Sequence, residues 1–188
     1  MVQAVDGKTL AAMLIHASAS LDAEKQKINE LNVFPVPDGD TGTNMSLTIG
    51  TAATELRQKN PATVGQATAL CASAMLRGAR GNSGVILSLI FRGFSRAMKD
   101  KDTMDGIDLA DAINAGVIAA YRAVMKPAEG TLLTVSRLAG DRAGRAAEEN
   151  TAFEYVLASA IDRAREALAD TINQNPVLKK AGVVDAGG

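Results

Sequence analysis

The chain has 188 residues, 47% of them hydrophobic but only 3% aromatic, with a net charge of −1 and a pI of about 5.9. That length suffices for one domain with a full core, and apolar content rich in alanine and poor in aromatics favours packed helices over sheets. The charge balance offers no basic field for nucleic acid, the single cysteine, Cys71, excludes an internal disulfide or a cysteine-based zinc cluster, and no stretch is long enough to span a bilayer.

The first helix is predicted from about Lys8 to Leu31, with Leu10, Met13, Leu14, Ala17 and Leu21 on one face. His16 is the only histidine, and beside this stripe it reads as a half-buried structural residue. Lys8, Leu10–Ile15 and Ala17-Ser18-Ala19 have the outline of a secretory signal, but Asp6 spoils the charge pattern and His16 shortens the apolar run. A cytoplasmic protein is expected.

The next stretch, Asn32-Val33-Phe34-Pro35-Val36-Pro37-Asp38-Gly39-Asp40-Thr41-Gly42-Thr43-Asn44, organises the rest. Its prolines and glycines predict a rigid loop. Asp38 and Asp40 can converge on one hard cation, and carboxylate oxygens suit Mg²⁺ sharing its shell with phosphate and water. Thr43 and Asn44 add a hydroxyl and an amide, and a helix starting near Thr43 offers N–H groups to an anion. A calcium-binding EF-hand would need a ligand at Gly42, glycine at Thr43 and glutamate at Ile49, and has none of them. A dehalogenase-type Asp-x-Asp nucleophile needs a preceding strand, which Pro35 and Pro37 break. Taken alone, Asp38-Gly39-Asp40 also fits a plain polar turn.

Met45, Ile49, Ala52, Ala53 and Leu56 mark the second helix, ended by Lys59-Asn60-Pro61. Thr63-Val64-Gly65-Gln66 is a capping box for the third, which runs to Gly78. Gly78-Ala79-Arg80-Gly81-Asn82-Ser83-Gly84 then brings backbone close to something, with Asn82 or Ser83 capping the following helix. A glycine-rich loop leading into a helix N-terminus can cradle phosphate; a tight turn between helices explains it equally well. It is neither a Walker A loop nor a Gly-x-Gly-x-x-Gly dinucleotide signature. Lys99 to Asp105 reads as a charged, mobile connection, with Asp108 capping the next helix. Pro127 and Gly130 end that helix, and Thr131 caps the one through Leu132, Val135 and Leu138. Thr151-Ala152-Phe153-Glu154 forms a further capping box, and Asn175-Pro176 closes the helix behind it. The chain stops in Gly182-Val183-Val184-Asp185-Ala186-Gly187-Gly188, which reads as a truncation of a longer protein; residues 1–188 are expected to be one domain of it.

Four stretches resemble, in order, the motifs of the kinase component of bacterial fatty acid kinase: Asn32 to Met45, Gly78 to Ser88, Val124 to Thr131 and Gly182 to Gly188. The resemblance implies a relative of the nucleotide-binding subunit of dihydroxyacetone kinase. It implies an all-α fold, an antiparallel barrel of about eight helices with the nucleotide site at one rim. ATP or ADP and Mg²⁺, as two ions, are the implied cofactors. Asp38 and Asp40 are the implied catalytic residues and metal ligands; Thr43, Asn44, Gly81, Asn82, Ser83, Thr131 and Asp185 are the implied nucleotide contacts. A separate fatty-acid-binding protein presents the acyl carboxylate, and further C-terminal regions support a homodimer. The dihydroxyacetone kinase pattern has a third aspartate near Asn32 and a histidine at Thr41, and both departures favour the fatty acid branch. Kinase action on a small hydroxyketone and a non-catalytic docking module with a structural metal loop are the alternatives.

Overall fold

The computed structural model describes all of residues 1–188. Eight helices and one two-stranded ribbon follow in the order β1 (Val5–Asp6), α1 (Gly7–Glu30), α2 (Thr41–Lys59), α3 (Val64–Gly78), α4 (Gly81–Ala97), β2 (Thr103–Met104), α5 (Gly106–Ala123), α6 (Leu132–Glu149), α7 (Phe153–Gln174) and α8 (Pro176–Ala181). The all-α expectation holds. From α1 to α8 each helix packs on the next, and α4 packs on α5 even though β2 intervenes in the chain. Short connections between packed neighbours make the helices run up and down. The connections α1–α2, α3–α4 and α5–α6 therefore share one end of the molecule, and α2–α3, α4–α5 and α6–α7 share the other.

The main core lies towards that second end. Leu10 and Ala11 of α1, Leu56, Val64, Ala67, Met98, Met104, Leu109, Ala143, Ala146, Phe153 and Val156 form one buried cluster. Ile49, Ala52, Cys71, Ala74 and Met75 form a smaller one between α2 and α3. So many buried alanines let helices approach closely. Burial pushes the Cys71 thiol up to about 12, so the thiol is inert at neutral pH.

Several local expectations need correction at this end. His16 is exposed, because it points away from the face that carries Leu10 and Ala11. The Lys99 to Asp105 connection is ordered structure: its β2 pairs antiparallel with β1, Val5 opposite Met104, and Met98 and Met104 are each 1% exposed. Its carbonyls at Lys101 and Asp102 accept the Gly65 and Val64 N–H groups at 2.8 and 3.1 Å, closing the start of α3. The Gln66 side chain of the Thr63 capping box accepts from Ala62 N–H, one residue before the cap. Asp105, not Asp108, caps α5, with Asp108 as the reciprocal third residue of a capping box. Thr151 does not cap α7. The first amides of α7, Phe153 and Glu154, donate to the carbonyls of Gln3 and Val2 at 3.0 and 3.1 Å. The N-terminal segment thus supplies backbone acceptors where a side chain was expected, and Glu154 instead accepts from Val2 N–H at 2.7 Å.

Candidate functional site

At the opposite end the three connections and the C-terminal tail enclose a cleft of about 500 Å³. Asp38, Asp40, Asn44, Gly81, Asn82, Ser83, Thr131 and Asp185 all line it. These residues lie as far as 147 positions apart, from Asp38 to Asp185. The exception is Thr43. Its N–H donates to Asn29 Oδ1 at 3.1 Å and its hydroxyl accepts from Asn29 Nδ2 at 3.0 Å, which ties it to the last turns of α1.

The aspartate loop is held by Asn32, 6% exposed. Asn32 Oδ1 accepts from Asp40 N–H and Thr41 N–H at 3.1 Å each and from the Thr41 hydroxyl at 2.9 Å, and its Nδ2 donates to the Val36 carbonyl at 2.9 Å. Its oxygen is therefore fully committed and cannot ligate a metal. Gly39 takes φ +67°, a left-handed turn that suits glycine. The Asp38 and Asp40 carboxylates make neither a hydrogen bond within the protein nor an ion pair; Asp40 stands at the N-cap of α2 without capping it. No further His, Cys, Asp or Glu joins them into a three-residue metal cluster. Two free carboxylates are a fitting donor set for Mg²⁺, which keeps several waters and takes one or two protein carboxylates alongside phosphates.

The helix N-termini settle which amides are free. Every helix starts with several N–H groups that lack an intrahelical acceptor. The helix after the aspartate loop starts at Thr41, not near Thr43, and its Thr41 and Thr43 amides are taken by Asn32 and Asn29. It is thus not the open anion site that the sequence predicts. In α6 the first amide, Leu132 N–H, donates to Asp185 Oδ2 at 2.9 Å. The start of α4 differs from both. Its N-cap is Arg80, which makes no capping bond, so neither Asn82 nor Ser83 is the cap. The Gly81, Asn82 and Ser83 amides have no protein acceptor, and all three residues line the cleft.

The glycines at 78, 81 and 84 have a packing role. A Cβ on Gly78 would lie 2.3 Å from Thr51 Cγ2, and one on Gly84 2.3 Å from Thr48 Oγ1. The close neighbour is α2. Thr48 Oγ1 in turn accepts Arg80 N–H at 3.1 Å and donates to the Asn44 carbonyl at 2.7 Å. Gly81 takes φ +57°, and a Cβ there would lie 2.3 Å from Asn44 Nδ2. The first two motifs therefore interlock, Gly81 against Asn44.

Asp185 is buried and bound by backbone amides. Its burial raises the carboxyl above the usual range, against the lowering effect of the Leu132, Gly188 and Gly187 N–H groups. Thr131 is the N-cap of α6 by position, and its hydroxyl donates to the Ala128 carbonyl at 2.8 Å. The preceding loop is braced by Glu129, whose Oε2 accepts from the Thr134 hydroxyl and from Arg137 Nη2 at 2.9 Å each. Burial alone would raise Glu129, but those two bonds, the charge of Arg137 and the Tyr121 hydroxyl together outweigh it and hold its carboxyl below the ordinary value. Sequence reasoning missed the loop's Lys126, the one basic residue that lines the cleft, and the apolar wall of Ile86, Leu89, Val124 and Leu133. Lys126 lies inside the third motif, Val124 to Thr131, but no sequence signal assigned it a role; the fold brings it to the same cleft as Asp38 and Asp40.

Fold and cleft together define an all-helical domain with a carboxylate-bearing polar rim. Residues 35–188 match the DAK2 domain, and the chain belongs to that family, the dihydroxyacetone kinase type of nucleotide-binding, kinase-related domain. It is 44% identical over 188 residues to an uncharacterized protein of Staphylococcus saprophyticus and 43% identical over 187 residues to protein YloV of Bacillus subtilis. Both alignments take in 100% of this chain but 34% of the relative, so the chain spans about a third of the length of these curated relatives. No helix is long and apolar enough to cross a membrane.

Proposed function

We propose that this chain is the ATP-binding domain of a cytoplasmic fatty acid kinase, which transfers the γ-phosphoryl group to an acyl carboxylate presented by a separate fatty-acid-binding protein. One observation carries the reading. A single cleft joins two carboxylates without protein partners to a helix N-terminus whose first amides have no acceptor. Asp38 and Asp40 would hold Mg²⁺, which when bound neutralises charge on the phosphates. The Gly81, Asn82 and Ser83 amides would bind phosphate oxygens, with Asn44 beside them. Thr131 and Asp185 would close the nucleotide site where they line the cleft at the start of α6, and the apolar wall suits a base. A carboxylate acceptor is already ionised near neutral pH, so no general base is required, in keeping with an exposed His16 that does not line the cleft.

The choice of a fatty acid over a hydroxyketone rests on the motif resemblance and on Thr41, whose hydroxyl is spent on Asn32. The acceptor must arrive in line with the leaving group, and the cleft opens outward at Asp38 and Val36, both exposed. The acyl chain is thus carried by the partner and docks over this rim. The test is acyl phosphate formation from labelled ATP. This chain alone should bind ATP yet phosphorylate free fatty acid poorly, whereas a protein as long as the relatives, given the lipid-loaded partner, should be active. Efficient phosphorylation of free fatty acid by this chain would overturn the division of labour.

A further inference from the structure

Lys126 is the only basic residue lining the cleft, against the carboxylates of Asp38, Asp40 and Asp185. It is exposed, and it forms no ion pair although eight other lysine or arginine side chains do. A nucleoside triphosphate would add several negative charges to a cleft that is already acidic. Mg²⁺ offsets part of this, and an unpaired ammonium at the same rim offsets more.

The loop that carries Lys126 is held on both sides. Pro127 follows it directly. Glu129 is fastened to Thr134 and Arg137 of α6 at 2.9 Å each, and Arg137 Nε donates to the Tyr121 hydroxyl of α5 at 3.3 Å. Gly130 N–H donates to Thr134 Oγ1 at 2.9 Å, and Thr134 is 1% exposed. Lys126 therefore extends from an anchored base.

Exposure along the cleft indicates which phosphate it meets. Thr41, Leu133 and Asp185 form the buried floor, whereas Asp38, Lys126 and the Gly81-Asn82 start of α4 stand exposed at the mouth. The group to be transferred must be reachable by an acceptor from outside, so it lies at the mouth. We infer that Lys126 binds the terminal phosphate of the nucleoside triphosphate and so distinguishes it from the diphosphate, an inference that rests on the nucleotide reading above.

The experiment compares Lys126→Met, Lys126→Arg and the unaltered chain by calorimetry with Mg²⁺ and either ADP or a non-hydrolysable ATP analogue. A charge-assisted bond of ordinary strength corresponds to roughly a ten- to hundredfold change in affinity. Lys126→Met should weaken the analogue by that factor and leave ADP unchanged, Lys126→Arg should retain most of the analogue's affinity, and circular dichroism should match throughout. Unchanged affinity for both nucleotides, or equal loss for both, would overturn the inference while leaving the nucleotide reading intact. Failure of the unaltered chain to bind either nucleotide would overturn both.

Discussion

Gly81 offers the sharpest separation of binding from folding. Its φ of +57° lies where a residue with a Cβ is disfavoured by roughly 1–2 kcal/mol. Gly81→Ala would also place Cβ 2.3 Å from Asn44 Nδ2, the free end of a side chain, so Asn44 moves and the core does not. The strain should lower the melting temperature by only about 2–8 °C, taking roughly 2–4 °C per kcal/mol for a domain of this size. Asn44 and the adjacent α4 amides both line the cleft, so Mg²⁺-nucleotide affinity should fall by more than about tenfold, the loss of one charge-assisted bond. Gly78→Ala, at the end of α3, is the control. Its Cβ would meet Thr51 Cγ2 at 2.3 Å, Thr51 does not line the cleft, and overpacking of this kind costs about 1–3 kcal/mol. Gly78→Ala should therefore spend its effect on thermal stability. Calorimetric titration and thermal melts of both variants decide the matter. If Gly81→Ala melted early but bound nucleotide normally, the glycine stretch would be a helix–helix turn and no part of a phosphate site.

Two further perturbations address the loop and the far end. Asn32→Ala strands the Asp40 and Thr41 amides and the Thr41 hydroxyl, and should cost about 2–4 kcal/mol, read by urea denaturation, because buried donors lose their acceptor. A loss below about 0.5 kcal/mol would mean that water replaces Asn32 freely. Glu149 is held at about 2, below its usual 4.5, by hydrogen bonds from Arg142 and Tyr155. Its contribution is present above the unfolded value near 4.5 and fades as pH falls towards 2. Over that window the melting temperature of Glu149→Gln should decline less steeply than that of the unaltered chain; parallel declines would refute the assignment.

Periodicity exposed the long helices because the apolar stripes of α2, α3, α5 and α7 follow one face for about four turns or more. Motif chemistry marked the three loops that meet at the cleft. The starts of the helices were less legible. Thr151 and Glu154 form a perfect box in sequence, yet Gln3 and Val2 reach the same amides from the other end of the chain. Asp185 closes α6 from 53 residues away. Such contacts leave no local trace, since any backbone carbonyl or distant carboxylate can serve. The glycines at 78, 81 and 84 carried a signal for close approach but not the identity of the neighbour, which is a helix on one side and an open cleft on the other.

The central claim is that the aspartate loop binds nucleotide through Mg²⁺. Isothermal titration of this chain with ATP, with and without Mg²⁺, tests it directly when repeated on Asp38→Ala and Asp40→Ala. Neither carboxylate bonds to the protein, so both variants should keep full helicity. We expect Mg²⁺-dependent binding in the unaltered chain and its loss in each variant; near-normal, metal-independent affinity in both would contradict the claim.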